Sequence, residues 1–520
     1  MIDRNKFFKK VLKICLFIPL IFYYGKKSYI AFDEGFYALQ ARWILEKGNW
    51  TIPLWWDEYV LDRTNGLQVL IAKSQEIFGK NLFAAYLPTT IAAILMLIIT
   101  YKLHEEFFGK NHAIVSPLIL STTYLWFDYS HLATQDLIYS SLVTIGVFSL
   151  VKIKKHKSNF YILLFGTWIG LAFMMKTFLV AVPLAALTPY ILSKRKLLFN
   201  TFFWLGLLIG FIPYLIWTYS INTYLDQNII FYLFGKFNFL SNKNDSTNPF
   251  YYYLWNIPIT FLPWSIFSII GLSSNTLENK NGNEKLILIY FPLILILILS
   301  IFSTKTPYYP LQISSILSLN SYIGIKYLFS SKRYKSIVIF ITSRLIPLFI
   351  SALVVTYIIF FKSVLNLTIK ENIFIILGLI SFSIAWSYIK DTSNLKKIFT
   401  TLIIGPYLLT ALLLQSGLFT DRSRELRETM EYLSSLDILK NQVIKVDKRN
   451  IGNEIAQSKI IRISLLTPNL GDGIENLEKM NPSDLAWSNL SSKELSETDS
   501  FQIIYDYEIL SPWKLIRKNR

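Results

Sequence analysis

Charge is what this chain has least of. Only 17% of its 520 residues are Asp, Glu, Lys or Arg, against roughly 25% in soluble globular chains. With 53% hydrophobic residues, 16% aromatic residues and a mean hydropathy of +0.40, that shortage excludes an ordinary soluble enzyme. Cysteine is nearly absent. Cys15 is the single one, inside the first apolar segment, so neither an intrachain disulfide nor a thiolate metal site is available. The histidines His104, His112, His131 and His156 are scattered and do not form a His-based metal centre. The sequence thus calls for no metal and no certain cofactor, and leaves a divalent cation open. It also lacks an internal repeat, a low-complexity tract and a cleavable signal. Lys9, Lys10 and Lys13 lead into the first apolar stretch, but Tyr23-Tyr24-Gly25-Lys26-Lys27 is a poor cleavage site. An uncleaved first span with a cytoplasmic N-terminus is expected.

The charge that is present is uneven. Residues 421–520 hold 15 Lys+Arg and 16 Asp+Glu, whereas residues 1–420 hold 37 and 18. Basic residues between apolar spans set orientation in a bilayer, so no nucleic-acid partner is needed. A bilayer asks for ~20 apolar residues per helix. Such stretches run at about 11–25, 82–101, 113–127, 137–151, 159–174, 178–192, 199–218, 254–272, 286–303, 310–329, 337–361, 373–389 and 398–418. The basic clusters Lys152-Ile153-Lys154-Lys155-His156-Lys157, Lys194-Arg195-Lys196 and Lys332-Arg333-Tyr334-Lys335 fall on the side this count makes cytoplasmic.

The expected fold is therefore a polytopic α-helical membrane protein of about thirteen transmembrane helices. Residues 1–420 form the membrane part, with 26–80 and 219–252 as long extracytoplasmic loops, and 421–520 form a small soluble α/β domain outside. In the first loop, Phe36, Leu39, Trp43 and Leu45 recur at helical spacing, suiting a helix in the interface that Gly48 stops. Tyr59 to Leu61 reads as extended and Leu67 to Phe78 as a second interfacial helix ending at Gly79. In the C-terminal part, Leu426, Met430, Leu433 and Leu436 line one helix face. The segments 443–446, 460–463 and 503–505 read as strands, with Gly471-Asp472-Gly473 and Asn481-Pro482 as turns.

The ionisable groups expected at outer span ends are Asp33, Glu34, Asp62, Arg63, Asp136, Lys176 and Lys305. A transporter or lipid flippase, the main alternative, is marked by mid-span charges or broken helices. Arg344 is the one clear mid-span charge. A scaffold whose C-terminal domain binds a partner is a third reading. Charges gathered at one mouth suit an enzyme instead, because a carboxylate can take a proton from an attacking hydroxyl while Lys and Arg hold a phosphate leaving group. Tyr37, Trp55, Trp56, Tyr59, Tyr308 and Tyr309 offer faces for a sugar ring, though interfacial belts are equally rich in Tyr and Trp. Asp33-Glu34 and Asp136 also read as plain helix-start acids, and Lys176 as a snorkelling lysine.

Several motifs in order carry a resemblance. They are Asp33-Glu34-Gly35-Phe36-Tyr37-Ala38, Ala133-Thr134-Gln135-Asp136, Gly170-Leu171-Ala172 through Lys176-Thr177, Pro249 to Leu254 followed by Leu262-Pro263-Trp264, and Ser303-Thr304-Lys305 with Tyr308 to Pro310. Together they resemble the GT-C glycosyltransferases of the aminoarabinose lipid A transferase and protein O-mannosyltransferase type, over roughly residues 30–325. Asp62-Arg63-Thr64-Asn65-Gly66 departs from that family's Glu-Lys-Pro-Pro-Leu, keeping the charge signs but not the prolines. The resemblance implies an inverting transferase of the plasma membrane. It would use a polyprenyl-phosphate-linked sugar donor and a lipid, protein or glycan acceptor on the extracytoplasmic face. Asp33 would be the base, with Glu34 and Asp136 shaping the site. Arg63, Lys176 and Lys305 would grip the donor phosphate, and Tyr37, Tyr59, Asp62 and Tyr308 would bind substrate.

Overall fold

The computed structural model describes residues 11, 13–22, 26–56, 58–61, 63–153, 158–226, 228–242, 248–273, 281–361, 367–449, 451, 453–497 and 500–519. Asp62 and the basic run at 154–157 lie outside them. The chain divides into two compact units. Unit one comprises Met1–Gly25, Asp62–Thr64 and Thr89–Phe419, and unit two comprises Lys26–Leu61, Asn65–Pro88 and Thr420–Arg520. The expected boundary at 420 is where the last segment of unit two begins, and that unit also contains most of the first loop.

Unit one is helical and is built to cross a membrane several times. Among the described residues, seven helices are long and apolar enough to span, or nine if each of two bent pairs is one span. One of the seven, Asn159–Ser193, is 35 residues long. As a straight rod it would measure ~52 Å, well beyond the ~30 Å of bilayer hydrocarbon. Its contacts show that it folds back. Against the helix Gln135–Lys152, Phe148 meets Tyr161 with ring centres 6.0 Å apart, and Asp136 pairs with Lys176. That order is antiparallel. Beyond Lys176 the order becomes parallel: the Tyr139 hydroxyl donates to the Leu179 carbonyl at 3.0 Å, and the Tyr190 hydroxyl to that of Leu150 at 3.2 Å. The reversal falls at Thr177, whose φ is 46°, a left-handed value that β-branched residues seldom adopt.

Glycine decides which helices touch. Helices Ser158–Lys176 and Thr201–Leu225 each carry a Gly-x-x-x-Gly pair, Gly166/Gly170 and Gly206/Gly210. A Cβ on Gly206 would sit 2.1 Å from the Leu163 carbonyl oxygen, and one on Gly170 would sit 2.2 Å from the Gly210 carbonyl carbon. Small residues let backbones approach this closely, which is how membrane helices gain packing energy without a hydrophobic effect between them. Gly271 and Gly324 play the same part between Ser265–Ser273 and Ser314–Ser330.

The expected span 254–272 is broken, and a second sharp bend falls in the turn expected between the spans 113–127 and 137–151. Tyr252–Thr260 and Ser265–Ser273 meet at 118°, and Tyr124–Ser130 meets Gln135–Lys152 at 117°. At the first break, Pro263 disfavours helix in the residue before it. The Trp264 indole N–H fixes the corner by donating to Thr122 Oγ1 at 2.8 Å. The stretch 219–252 is not loop throughout: the helix Thr201–Leu225 continues into it and Ile229–Asn242 follows.

Unit two mixes helices and strands around two buried clusters. Five strands, β3 Ile444–Asp447, β4 Leu470–Ile474, β5 Leu485–Ser488, β6 Phe501–Tyr505 and β7 Lys514–Lys518, form a sheet in the order β4-β3-β5-β7-β6. A short antiparallel pair precedes them, β1 Leu54–Trp55 and β2 Glu58–Tyr59. β3 runs parallel to β4 and β5, and β7 antiparallel to β5 and β6. The expected strand at 460–463 lies instead inside the helix Glu454–Leu466. Its β-branched run favours strand locally. Ala456, Ile460 and Ile463 recur at helical spacing, however, and the Asn453 side chain caps the Ile455 N–H at 2.9 Å. The expected turn Gly471-Asp472-Gly473 is part of β4.

The first-loop helix is Phe36–Lys47, stopped by Gly48 at φ 68°. It does not lie apolar face down in an interface. Leu39 and Trp43, with Leu54 and Trp56, are buried in one cluster with Leu426, Met430, Ile460, Trp487 and Trp513. Trp56, 3% exposed, is thus a core residue and not a platform for a sugar.

Candidate active site

The predicted site residues fall into two groups, one in each unit. Asp33, Glu34, Tyr37 and Tyr59 are in unit two, while Arg63, Asp136, Lys176, Lys305 and Tyr308 are in unit one.

In unit two the adjacent carboxylates have opposite surroundings. Phe32 and Asp33 break the turn that leads into Phe36–Lys47, with Asp33 at φ 57°, ψ −82°. This is close to the strained γ-turn conformation that residues with a Cβ rarely adopt. Asp33 is exposed and Glu34 is fully buried. The Glu34 carboxylate accepts the Ile30 N–H at 2.8 Å. Its charge also acts on two neighbours. The Lys27 ammonium, over the Tyr86 ring at 3.3 Å, is pushed down by burial to about 7, with Glu34 opposing the shift. The Tyr29 hydroxyl is pushed well above its usual range, first by burial and then by Glu34. Glu34 therefore holds the turn together, and Asp33 is the acid offered to solvent. Tyr37 is buried behind that turn, while Tyr59 is 45% exposed at the end of β2.

Sequence reading passed over Arg42. It is 6% exposed and donates to the carbonyls of Ser464 at 3.0 Å, Thr467 at 2.7 Å and Pro468 at 2.7 Å, at the C-terminal end of Glu454–Leu466, where a cation is favoured. An arginine beside Leu39 and Trp43 on an otherwise apolar helix face was the available signal.

In unit one, Asp136 stands in the first turn of Gln135–Lys152 and Lys176 ends Ser158–Lys176. Their ion pair leaves the lysine side chain 14% exposed and the aspartate 10%. The Lys176 ammonium also lies 4.8 Å from the Tyr308 ring centre and 5.7 Å from that of Tyr309, within cation–π range. Tyr129 packs on Tyr308 with ring centres 5.6 Å apart. The turn carrying these tyrosines is tied down by Tyr253, whose hydroxyl oxygen accepts the Thr306 N–H at 3.2 Å, and by Asn248, which donates to the Lys305 carbonyl at 3.2 Å. The Lys305 ammonium bonds the Phe302 carbonyl at 2.8 Å. Arg63 is half-buried. Asp136, Lys176, Tyr308 and Tyr309 thus form one cluster, with an amine held between a carboxylate and two ring faces. Such a cluster can receive a phosphate, since an arriving anion takes up the lysine while the rings stay as a wall. Among the described residues, no group of three or more His, Cys, Asp or Glu is placed to hold a metal ion.

Residues 62–217 match the family model described as dolichyl-phosphate-mannose-protein mannosyltransferase. An undecaprenyl phosphate-alpha-4-amino-4-deoxy-L-arabinose arabinosyl transferase of Wigglesworthia glossinidia brevipalpis is 26% identical over 264 residues, 48% of this chain and 46% of its own. An uncharacterized Aquifex aeolicus protein is 24% identical over 311 residues, 58% of this chain and 61% of its own. The chain spans about half the length of the curated relatives it matches. The crystal structure of ArnT from Cupriavidus metallidurans bound to undecaprenyl phosphate superposes with a TM-score of 0.78 at 14% identity, covering 98% of both chains. The chain has the ArnT fold. The apo form of ArnT superposes with a TM-score of 0.74 at 13% identity, covering 99% of this chain and 98% of ArnT. The similarity to ArnT therefore includes the C-terminal β-rich domain as well as the helices.

Proposed function

We propose that the protein is an integral-membrane glycosyltransferase that moves a sugar from a polyprenyl-phosphate donor to a hydroxyl of a lipid, protein or glycan. The observation that carries this reading is the ArnT fold over 98% of the chain; the Asp136–Lys176–Tyr308 cluster supports it. In the reaction Asp33 takes the acceptor proton as the hydroxyl oxygen attacks the anomeric carbon from the face opposite the phosphate. The bond from that carbon to the phosphate oxygen breaks, and polyprenyl phosphate leaves with the new negative charge. Lys176, Arg63 and Lys305 receive it. Tyr308 with Tyr37, Tyr59 and Asp62 borders the sugar, Asp136 holds Lys176 in place until the donor arrives, and Glu34 positions Asp33. The chain crosses the plasma membrane about thirteen times. Its N-terminus is cytoplasmic, and the site and residues 421–520 are extracytoplasmic; 1–420 and 421–520 serve as membrane and soluble parts.

Purified protein given a polyprenyl-phosphate sugar and a membrane extract as acceptor source releases polyprenyl phosphate, and Asp33→Asn does not, although it inserts and folds. A wild-type protein that releases none, or an Asp33→Asn variant as active as wild type, overturns the proposal.

A further inference from the structure

The last two helices of unit one flank a groove lined by none of the residues assigned to sugar transfer. Its volume is about 400 Å³. Ile384 and Tyr388 line it from the end of Ile369–Ser387, and Thr400, Thr401, Ile404 and Leu408 line it from Leu395–Gln415. The register is fixed by the Trp386 indole N–H, which donates to the Leu402 carbonyl at 2.9 Å. With Gly405 against Phe382 and Gly378 against Leu409 and Leu412, the two helices run antiparallel, and Tyr388 and Thr400 are the lining residues nearest the connecting turn.

Its chemistry changes along its length. Ile384, Ile404 and Leu408 line it as exposed apolar side chains. At the mouth, Lys396 and Lys397 precede Thr400 and Thr401 by one helical turn, which puts them on the same face. Both lysines are exposed, as is Lys390 in the turn. Asp391, the acid of that turn, is paired with Lys335. His112 packs on Phe399 with ring centres 5.4 Å apart, and the charges of Lys326 and Lys396 both act on its imidazole. The Thr400 and Thr401 hydroxyls donate to the carbonyls of Lys396 at 2.9 Å and Lys397 at 2.8 Å, which leaves their oxygens as acceptors at the rim.

We propose that this groove holds one anionic phospholipid, with a fatty acyl chain against Ile384, Ile404 and Leu408 and the phosphate at Lys396 and Lys397. Apolar side chains along the groove with lysines one helical turn beyond follow the order of a phospholipid from acyl chain to phosphate. The charge selects among lipids. A zwitterionic headgroup brings its own cation to a cationic rim, while an anionic one brings none, and basic pockets between membrane helices hold anionic headgroups in this way. The acceptor oxygens of Thr400 and Thr401 suit a headgroup that carries hydroxyls.

The full chain, delipidated in neutral detergent and exposed to equimolar phosphatidylglycerol and phosphatidylcholine, is measured by native mass spectrometry. One phosphatidylglycerol is retained per chain, at about ten-fold preference. The exposed pair Lys396→Ala/Lys397→Ala abolishes the preference without altering elution as a folded monodisperse protein. Ile404→Trp, which fills the groove, removes the bound lipid with both lysines present. Inorganic phosphate at millimolar concentration leaves the lipid bound. No preference in wild type, unchanged retention in the lysine pair, or displacement by inorganic phosphate alone overturns the proposal.

Discussion

At Asp33 the backbone is held in a conformation that costs about 1–3 kcal/mol in a residue with a Cβ, while the neighbouring carboxylate is committed to the Ile30 N–H. The strain belongs to the exposed acid alone, and this separates a solvent-facing group from a structural one where the sequence shows only two acids side by side. Asp33→Gly relieves the strain, less the 0.4–1 kcal/mol or so by which glycine loosens the unfolded chain. It is expected to raise stability by about 1 kcal/mol while ending transfer, read as a higher melting temperature of an inactive protein. An unchanged or lower melting temperature would show that the turn carries no strain. Lys176 needs a different design. Its pair with Asp136 is nearly buried, so Lys176→Ala alone leaves a stranded carboxylate and costs about 3–5 kcal/mol. Lys176→Met combined with Asp136→Asn removes both charges at once. The double variant is expected to recover most of the lost stability and none of the donor affinity, measured by thermal unfolding and by titration with lipid donor. Full donor affinity in that variant would take Lys176 out of the phosphate site.

Between elements, backbone contact at glycine replaces the apolar burial that holds a soluble core. Gly206→Leu would drive a side chain into the Leu163 carbonyl, which cannot give way as a flexible neighbour would. Overpacking costs about 1–3 kcal/mol, and the helices Ser158–Lys176 and Thr201–Leu225 should separate at that point. Gly235→Ala is the control, because a Cβ there meets nothing within 4 Å; it is expected to leave thermal stability unchanged or slightly raised. Equal melting temperatures for the two variants would refute the contact. Hydropathy made the helices themselves legible, as in Leu82–Phe108 and Leu395–Gln415, because a bilayer permits few alternatives. Gly48 and Gly79 were legible as stops for the same local reason that they take φ 68° and 86°. The bend at 131–134 falls in the turn expected between two spans, but the corner at 261–264 was not legible, because what fixes it is distant in sequence, as with Trp264 bonding to Thr122. Nor could sequence tell that Glu34 is buried, since its surroundings come from turn geometry. Arg344 is a further case. Position within 337–361 makes it look deep, but Ser383 Oγ donates to the Pro347 carbonyl at 3.0 Å and Lys335 pairs with Asp391. That register sets Arg344 near residue 386, next to the end of Ile369–Ser387. It is exposed there, and an arginine stem can carry its head from that depth to the interface.

At the scale of the whole molecule, the described residues of the C-terminal domain hold no catalytic constellation, yet the Asp33 turn depends on that domain within unit two. The Asp33 turn is seated on the helix Glu454–Leu466. A Cβ on Gly35 would lie 2.6 Å from the Ile30 carbonyl oxygen and 2.8 Å from Ile461 Cγ2. Arg42 is anchored to the C-terminal end of that same helix. Ser28 N–H donates to the Thr420 carbonyl at 3.0 Å, and Ser423 N–H to Ser28 Oγ at 2.8 Å. Leu39, Trp43, Leu54 and Trp56 share their core with residues from 426 onward, and each is worth about 1.5–3 kcal/mol when buried. A chain ending at Thr420 keeps every residue given a role in transfer but loses the surface that shapes the Asp33 turn. Such a truncation should insert into the membrane, fail to release polyprenyl phosphate, and lose hydrogen-exchange protection across 26–61 while keeping it across 89–419. Arg42→Met in the full chain is expected to do the same in part, because hydrogen bonds from a charged group contribute about 1.5–3 kcal/mol. A truncated chain that stays protected over 26–61 and transfers sugar normally would show that the loop shapes itself, leaving residues 421–520 to bind something else.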